Sequence, residues 1–328
     1  MLNIAIDAVG GDHYPHHPVQ GAIQALNERP ELNITLIGPE TLIREELDKY
    51  SYSGSRLHII HAPDIIGMNE APAVAVKTKR RSSIVTGLGL HAKGKLDAFF
   101  SAGNTGALLA ASMFILGKLP GVLRPTIGSI YPSIAGNKFM LDVGANIEVK
   151  PEALLQFGIM GKVFAQNLLH IKEPRIGLMN VGEEEEKGRE AVRQAYQLLK
   201  GRPDFAGNIE GRDVMQAKAD VYVCDGFVGN LLLKLGESIP ENVLHILYGS
   251  PASKKLSKEE LQLFKNVLLE ALAPFDYQLV GGVPFLGVNG VSMVGHGGSS
   301  PLAIKNSVLS AEQFIRLDVN EQIKSALA

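Results

Sequence analysis

The sequence is poor in cysteine and tryptophan and carries almost no net charge. Its single cysteine, Cys224, excludes an internal disulfide and any zinc site built from paired cysteines, which agrees with a reducing compartment. The formal net charge of −2 provides no overall basic field of the kind that attracts nucleic acid irrespective of its sequence. We therefore expect no nucleic-acid partner.

Long apolar runs are also missing. No uninterrupted apolar stretch is long enough to span a bilayer. The first residues form a strand-like run interrupted by Asp7, unlike the charged and then apolar start of a signal peptide. We expect a cytoplasmic protein, and peripheral contact with the inner face of the membrane stays open.

What the sequence does contain is typical of a packed globular protein, with 45% hydrophobic and 20% charged residues. Aromatic residues make up only 6%, so the core must consist mainly of Ile, Leu, Val and Ala. The 35 glycines imply many tight turns. This balance favours an α/β fold over an all-β fold.

Short β-branched runs alternate with longer amphipathic or Ala- and Leu-rich segments. The alternation predicts a Rossmann-like, doubly wound and mostly parallel sheet with helices on both faces. Because no linker interrupts it, we expect a single domain over residues 1–328. Strands are predicted at residues 3–8, 33–38, 97–101, 138–143, 175–181 and 220–225, and helices at 18–28, 41–49, 105–118 and 303–326.

Residues 237–277 interrupt this alternation. Ser257 and Glu260 have the spacing of a helix-initiating capping box, and two helices are predicted here without a strand between them. We therefore expect a projecting helical hairpin, followed by strand-like, glycine-rich sequence at residues 281–300.

Five strand ends carry glycine beside a short polar residue. In an open parallel sheet, ligands bind beyond the carboxyl ends of the strands, where glycine lets backbone N–H groups approach and helix N-termini favour an anion. The clustering therefore predicts one shared anion pocket. The five turns lie at residues 7–12, 101–106, 142–146, 180–182 and 225–230.

Familiar nucleotide-binding motifs are missing from these turns. Residues 182–188 resemble a phosphate-binding loop only superficially, because the Gly-Lys order is reversed and four glutamates would repel a triphosphate. No GxGxxG motif follows the first strand. A kinase, an ATPase and an ordinary dinucleotide dehydrogenase are disfavoured.

Two charged or titratable residues are candidates for the pocket. Lys187 lies at a predicted helix start, where its ammonium could help the helix N–H groups to neutralise a phosphate. The alternative is a surface lysine paired with Glu183 or Glu184. His296 follows a strand and is flanked by glycines, so it either reaches the pocket as a donor or acid/base group or serves only the turn.

Other reactive residue types receive simpler interpretations. His13, His16 and His17 fit no compact ligand set, so no metal is expected. Cys224 lies in a run that looks buried and is interpreted as a core thiol. The basic run at residues 77–81 is either a solvated helix face or a docking site for an acidic partner.

In order and across nearly the whole chain, these motifs resemble those of the bacterial PlsX-type phosphate acyltransferases of phospholipid synthesis. The resemblance rests on residues 6–12, 101–107, 141–146, 180–184 with 187–188, 207–213, 225–230, and 287–290 with 296–297. It implies transfer of a fatty acyl group from acyl carrier protein to inorganic phosphate, with the acyl phosphate product handed to a glycerol-3-phosphate acyltransferase. It also implies a fold akin to isopropylmalate dehydrogenase and phosphotransacetylase, a homodimer, and no cofactor.

For such a reaction, backbone donors and a cation would hold phosphate in line with the thioester carbonyl, without an enzyme nucleophile. Asn230 and Asn104 are the predicted donors to the carbonyl oxygen, and Lys187 is the predicted cation. His296 or Asp225 would orient groups or manage the proton of the leaving thiolate. The other predicted phosphate or substrate contacts are Gly10, Gly11, Asp12, Ser101, Gly103, Thr105, Gly106, Asn146, Gly182 and Gly229. The predicted docking residues for the carrier protein are Lys77, Lys79, Arg80 and Arg81.

The sequence departs from the family pattern at some positions. Cys224 stands where Thr is usual, which argues that no nucleophile is needed there. Glu259, Glu260 and Glu270 dilute the basic and apolar character of the hairpin, so membrane contact is not implied.

Three alternatives stay open on the sequence alone. They are a phosphotransacetylase-like enzyme that uses acyl-coenzyme A, a decarboxylating NAD dehydrogenase of the related fold, and a non-catalytic carrier-protein or membrane-surface scaffold. Phosphate-dependent formation of an acyl phosphate from the carrier thioester separates them.

Overall fold

Strands and helices alternate along most of the chain in the computed structural model, which describes residues 1–52 and 54–328. The strands are β1 (Leu2–Asp7), β2 (Leu32–Gly38), β3 (Leu57–His61), β4 (Ala98–Ser101), β5 (Thr126–Tyr131), β6 (Lys138–Leu141), β7 (Ile176–Met179), β8 (Phe205–Ile209), β9 (Val221–Val223), β10 (Val283–Leu286) and β11 (Ser292–Val294). The helices are α1 (His16–Glu28), α2 (Glu40–Leu47), α3 (Pro72–Thr78), α4 (Ser83–Ala92), α5 (Thr105–Ile115), α6 (Pro151–Leu168), α7 (Glu190–Leu199), α8 (Gly226–Gly249), α9 (Lys258–Leu272), α10 (Tyr277–Val280), α11 (Pro301–Arg316) and α12 (Val319–Leu327).

The strands form one mixed sheet in the order β3-β2-β1-β4-β11-β10-β5-β6-β9-β7-β8. Within the described residues, seven of its strand pairings are parallel and three are antiparallel, namely β11–β10, β10–β5 and β5–β6. The prediction of a mostly parallel α/β sheet is therefore confirmed. The antiparallel pairs divide the sheet into two parallel groups that run in opposite directions, β3, β2, β1, β4 and β11 in one and β6, β9, β7 and β8 in the other.

Both faces of the sheet are buried. Along β6, Phe139 and Leu141 belong to one hydrophobic core and Met140 to the other, because successive side chains of a strand point to opposite faces. Helices α1, α6, α11 and α12 contribute to the first core, and α3, α4 and α5 to the second. Helices on both faces are thus confirmed.

The sequence-based prediction omits β3, β5 and β8. Strands β3 and β8 lie at the two edges of the sheet and are only partly buried, so they lack a continuous apolar run. Strand β5 contains Gly128 and Ser129, which interrupt its apolar pattern. These three strands form because neighbouring strands supply partners for their backbone hydrogen bonds. The local sequence does not contain this information.

The helix predicted to begin at Lys187 begins instead at Glu190, with Arg189 as its N-terminal flanking residue. The cause is Gly188, whose φ of 87° lies in the left-handed region and cannot continue a right-handed helix. Lys187 therefore lies in the loop before α7.

The hairpin region contains two long helices without an intervening strand, and the first of them, α8, already begins at Gly226. The predicted capping box is confirmed: Ser257 Oγ accepts from the Glu260 N–H at 3.2 Å, and the Glu260 carboxylate accepts from the Ser257 N–H at 2.8 Å. None of the described residues of α9 is fully buried. Over the part of the chain that the structure describes, no helix combines the length and the apolar character needed to cross a bilayer.

Candidate active site

Two cavities lie on either side of the first turns of α8. Cavity 1 has a volume of about 470 Å³ and lies over the central strands β5, β10 and β11. Cavity 2 has a volume of about 620 Å³. Helix α8 contributes Asn230, Leu233, Lys234 and Glu237 to cavity 1, and Val228, Leu231 and Leu232 to cavity 2.

Three of the predicted site residues line cavity 1, namely Thr105, Asn230 and His296. Thr105 begins α5 directly after the β4 turn, His296 follows β11, and Asn230 lies in the second turn of α8 after β9. These residues come from strand groups that run in opposite directions. The loops therefore reach the cavity from opposite ends of the strands. In a uniformly parallel sheet, all of them would come from the same end.

The turn after β6 is fixed by the buried carboxylate of Asp142. It accepts the N–H groups of Gly144 and Ala145, each at 2.8 Å, and the amide of Asn146 at 2.6 Å. Burial raises the pKa of Asp142, and these hydrogen bonds oppose the rise. Since the Asn146 amide also donates to the Pro125 carbonyl at 2.8 Å, it holds the turn together and does not line cavity 1.

Asn230 lies beside this turn. Gly144 lines cavity 1, and a methyl group at its Cα would lie 3.7 Å from Asn230 Oδ1. The Asn230 side chain is exposed to the cavity, where its amide can donate to a ligand oxygen.

A similar arrangement organises the turns after β1 and β4. The buried Asp7 carboxylate accepts from Ser101 Oγ at 2.7 Å, and Ser101 Oγ accepts in turn from the Gly103 N–H at 3.0 Å. A side chain at Gly10 would collide with Asp7 Oδ2 and with the Gly103 nitrogen, at 2.8 and 2.9 Å. The predicted contacts Gly10, Ser101 and Gly103 thus pack two turns together behind the cavity wall.

Asn104 is engaged in positioning a neighbouring segment. Its Oδ1 caps α5 by accepting from the Ala107 N–H at 2.9 Å, and its Nδ2 faces three carbonyl oxygens of residues 67–70 at 3.0–3.2 Å. This holds the segment beside the start of α5, where Met68 lines cavity 1. Gly106 packs against Pro72 on the same side, where an added Cβ would lie 2.6 Å from its ring.

The loop after β11 presents His296 to the cavity. Its Nδ1 accepts from the Gly298 N–H at 3.1 Å, so the neutral ring carries its proton on Nε2. The loop is joined to the β1 turn by the Asp12 N–H, which donates to the Gly297 carbonyl at 2.8 Å, and by the close approach of Gly11 to the same oxygen. His296 is therefore oriented by its own loop to act as a hydrogen-bond donor.

The other predicted residues lie apart from this group. Asp225 caps α8 through the Val228 N–H at 2.9 Å, pairs with Arg189 at 3.4 Å, and lines cavity 2. Lys187 is exposed in the loop before α7, and its side chain passes over Gly182. Gly229 lies on the buried face of α8 and packs against Asp142. The geometry does not bring Lys187, Asp225 and Gly182 to the cavity that Asn230 lines.

The sequence analysis missed several lining residues. Lys234 and Glu237 lie one and two helical turns beyond Asn230 on the same face of α8, and they form an ion pair at 2.7 Å. Helical spacing from Asn230 is the signal that could have identified them. Met68 and the β5 residues carry no local signal, because contacts between distant parts of the sequence leave no local pattern.

The predicted docking residues divide into two kinds. Lys77, Arg80 and Arg81 are exposed near the end of α3. Lys79 instead donates to the Ile65 carbonyl at 2.6 Å and pairs with Glu70 at 2.5 Å, which anchors the segment held by Asn104. Lys79 therefore stabilises the segment that borders cavity 1, and its charge is already paired with Glu70.

Cys224 is a core thiol. It is buried against α8, its Sγ donates to the Asp142 carbonyl at 3.4 Å, and burial raises its pKa well above 9.0. A thiol with so little thiolate cannot serve as the acyl acceptor.

Two of the three histidines near the N-terminus bind protein groups, and the ring of the third, His13, packs against that of His17 with centroids 4.5 Å apart. His16 Nδ1 lies 2.9 Å from Glu46 Oε1, and His17 Nδ1 lies 2.9 Å from the Ser299 carbonyl. Within residues 1–52 and 54–328, no group of three or more potential ligands is arranged to hold a metal.

Burial of Asp7 gives a testable dependence of stability on pH. Burial raises its pKa above the ordinary value of 3.8, against the hydrogen bonds from Ser83, Ser101 and Val9. A raised folded-state pKa contributes stability that is present below 3.8 and lost as the pH rises through the folded value. We expect the unfolding free energy of the native protein, relative to that of Asp7→Asn, to fall between pH 4 and 7 in urea titrations. A difference that does not change with pH would contradict this.

The fold is similar to that of solved phosphotransacetylases. One from Staphylococcus aureus superposes with a TM-score of 0.60 at 14% identity, covering 96% of this chain and 94% of that one. One from Streptococcus pyogenes gives a TM-score of 0.60 at 15% identity, covering 95% and 94%. The predicted phosphotransacetylase-like architecture is confirmed.

The sequence comparisons are more specific. The family model described as fatty acid synthesis protein matches residues 2–322. A phosphate acyltransferase of Chlorobaculum parvum is 44% identical over 340 aligned positions, covering 100% of this chain and 99% of the relative. A phosphate acyltransferase of Halothermothrix orenii is 40% identical over 329 positions, covering 99% and 98%. The chain belongs to this fatty acid synthesis protein family, which confirms the resemblance found in its motifs.

Proposed function

We propose that this protein is an enzyme that transfers a fatty acyl group from acyl carrier protein to inorganic phosphate, giving acyl phosphate for phospholipid synthesis. The observation that carries the proposal is that Thr105, Asn230 and His296 meet at one cavity in a chain whose full-length relatives are named phosphate acyltransferases. Each of these residues offers a hydrogen-bond donor suited to an anion or a carbonyl oxygen.

Phosphate would bind between Thr105 and His296. Thr105 is the first residue of α5, where its hydroxyl and the positive end of the helix favour an anion, although the Ala107 N–H is already capped by Asn104. His296 adds its Nε2–H from the opposite loop. These donors would hold the phosphate without the cation that the sequence analysis assigned to Lys187.

Asn230 would act on the thioester. A phosphate oxygen forms a bond to the carbonyl carbon, the negative charge on the carbonyl oxygen is stabilised by the Asn230 amide, and the carbon–sulfur bond then breaks. The leaving thiolate of the carrier takes a proton from solvent, because the neutral His296 ring, with Nδ1 as an acceptor, has no acidic proton to give. No bond to the enzyme forms, in agreement with the buried state of Cys224. Lys187 and Asp225 have no role in this scheme, because they lie away from the cavity.

The decisive experiment combines the purified protein with palmitoyl carrier protein, phosphate and hydroxylamine. The expected product is palmitoyl hydroxamate, formed above the enzyme-free background of thioester cleavage only when phosphate is present. Turnover of acyl-coenzyme A but not of the carrier thioester would indicate the coenzyme A enzyme instead. Absence of product with both donors would leave a non-catalytic scaffold, and product without phosphate would exclude the proposed acceptor.

We further propose that Lys77, Arg80 and Arg81 dock the acidic carrier protein. They are exposed and lie close to the segment that borders cavity 1, which supports delivery of the thioester there. Replacing all three by Glu should raise KM for the carrier protein about tenfold or more with little change in kcat, since rim charges act mainly on association. The matched control is Lys93→Glu with Lys95→Glu, on another exposed segment. An unchanged KM in the triple variant would end this assignment.

The assembly state is also a proposal. Apolar side chains on α8 and α9 are exposed, among them Ile246 at 74%, Leu263 at 66% and Val267 at 57%. A surface of this kind favours an interface, and we propose that it pairs two copies of the chain. A monomer by sedimentation would contradict this proposal, and binding of the hairpin to anionic vesicles would assign the surface to the membrane instead. In either case the acyl phosphate product would pass to a glycerol-3-phosphate acyltransferase.

A further inference from the structure

Cavity 1 has an apolar part that the transfer step itself does not use. Its polar donors lie at Thr105, Asn230 and His296, while Ile130, Leu233, Val280 and Val283 add aliphatic surface. Ile130 comes from β5, Leu233 from α8, and Val280 from the end of α10. The aliphatic residues therefore come from three separate elements that meet away from the strand-end turns.

This apolar part continues into a smaller cavity of about 50 Å³ under the base of the hairpin. Both cavities are lined by Ser129, Ile130, Leu233, Glu237 and Val280, and the smaller one adds Pro132, Pro274 and Phe275. The shared residues form the boundary between the two cavities. We call the shared residues together with Pro274 and Phe275 the tail channel.

The tail channel leads away from Asn230 along α8. Asn230, Leu233 and Glu237 lie on one face of the helix, and a rise of about 1.5 Å per residue separates the first and last by roughly 10 Å. The far end is narrow, because Gly236 packs on Tyr131 so closely that an added Cβ would lie 2.7 Å from the tyrosine hydroxyl. Lys234 and Glu237 pair with one another, so the channel presents no unpaired charge from this helix face.

We propose that the tail channel binds the hydrocarbon chain of the acyl group and that Val280 determines how long a chain is accepted. This inference rests on the proposed function and adds the part of the site that recognises the substrate tail. A hydrocarbon is the occupant that fits, because the channel begins at the donors for the thioester carbonyl and continues with aliphatic side chains. The attachment of the chain to that carbonyl carbon fixes where the tail must start.

The expected effect scales with the number of methylenes that the channel buries. Each buried methylene strengthens binding by about fourfold, so losing two or three of them changes kcat/KM by more than tenfold. Val280 is half-buried and lines both cavities, so an indole at this position would close the passage between them.

The test compares Val280→Trp with Leu279→Trp on carrier proteins loaded with octanoyl or palmitoyl groups. Leu279 is the neighbouring residue, is 52% exposed, and lines none of the cavities described above, so it is a matched control. We expect Val280→Trp to lower kcat/KM for palmitoyl carrier at least tenfold and to leave octanoyl carrier within about twofold. Leu279→Trp should change neither value. Val280→Phe, a smaller replacement, should shift the same ratio in the same direction if the Trp variant folds poorly.

Two results would overturn the inference. An equal loss for both chain lengths would assign the channel to the carrier arm or to the reacting groups, and an unchanged ratio would mean that the chain lies elsewhere. The proposed function is judged separately, because the unmodified protein must first form acyl hydroxamate with both substrates in a phosphate-dependent way.

Discussion

Replacing Asn230 by Ala should lower kcat roughly 10²- to 10³-fold, equivalent to about 3–4 kcal/mol of transition-state stabilisation. The reason is that the Asn230 amide is the donor beside Gly144 that faces the cavity, where charge develops on the thioester oxygen. KM for phosphate should change much less, since the proposed acceptor site is formed by Thr105 and His296. The measurement is steady-state release of carrier thiol at saturating phosphate.

Asn242→Ala is the matched control for this variant. Asn242 lies on the same helix, is exposed, and donates only to the Ser238 carbonyl, at 2.9 Å, among the hydrogen bonds of its side chain in the described part of the chain. It should retain normal turnover. If Asn230→Ala also turned over at a near-normal rate, the assignment of Asn230 to the carbonyl oxygen would be lost.

Replacing Gly229 by Ala should destabilise the protein by about 3 kcal/mol or more. A methyl group at this position would overlap the Asp142 carbonyl oxygen and would lie 2.9 Å from Cys224 Sγ. Both obstacles belong to buried elements, so α8 would have to move away from the turn after β6. The free energy of unfolding in guanidinium measures the effect.

Gly249→Ala provides the comparison for the glycine change itself. Gly249 is the last residue of the same helix, and nothing lies within 4 Å of the methyl group that would be added. This variant should be neutral or more stable by up to about 1 kcal/mol, because alanine restricts the unfolded chain and favours helix. Equal losses for the two variants would show that Gly229 is not held by the contact with Asp142.

The class of fold could be predicted because it depends on local patterns. The mainly apolar runs that become β1, β2 and β4 are buried on both faces and are separated by segments of helical composition, so each element is recognisable by itself. The capping box at Ser257 could also be predicted, since its two residues lie within one helical turn.

The reversal of strand direction at the middle of the sheet could not be predicted from the sequence. It depends on the antiparallel pairing of β10 with β5, two strands that lie far apart in the sequence. The division of the predicted site follows from the same cause. Asn104 and Asn146 lie in recognisable turns, but only the structure shows that their amides are engaged by backbone and carboxylate oxygens near the cavity wall.

The two strand groups are joined through the short pairing of β10 with β5, which we call the joint. Strands β10 and β5 share only two aligned pairs, Phe285 with Ile127 and Leu286 with Thr126. Because Thr105 stands on one side of this joint and Asn230 on the other, the distance between acceptor and thioester is governed by a short length of backbone ladder. In the proposed reaction, the alignment of the reactants thus depends on a ladder of which Ile127 lines the cavity while Thr126, Phe285 and Leu286 lie outside it.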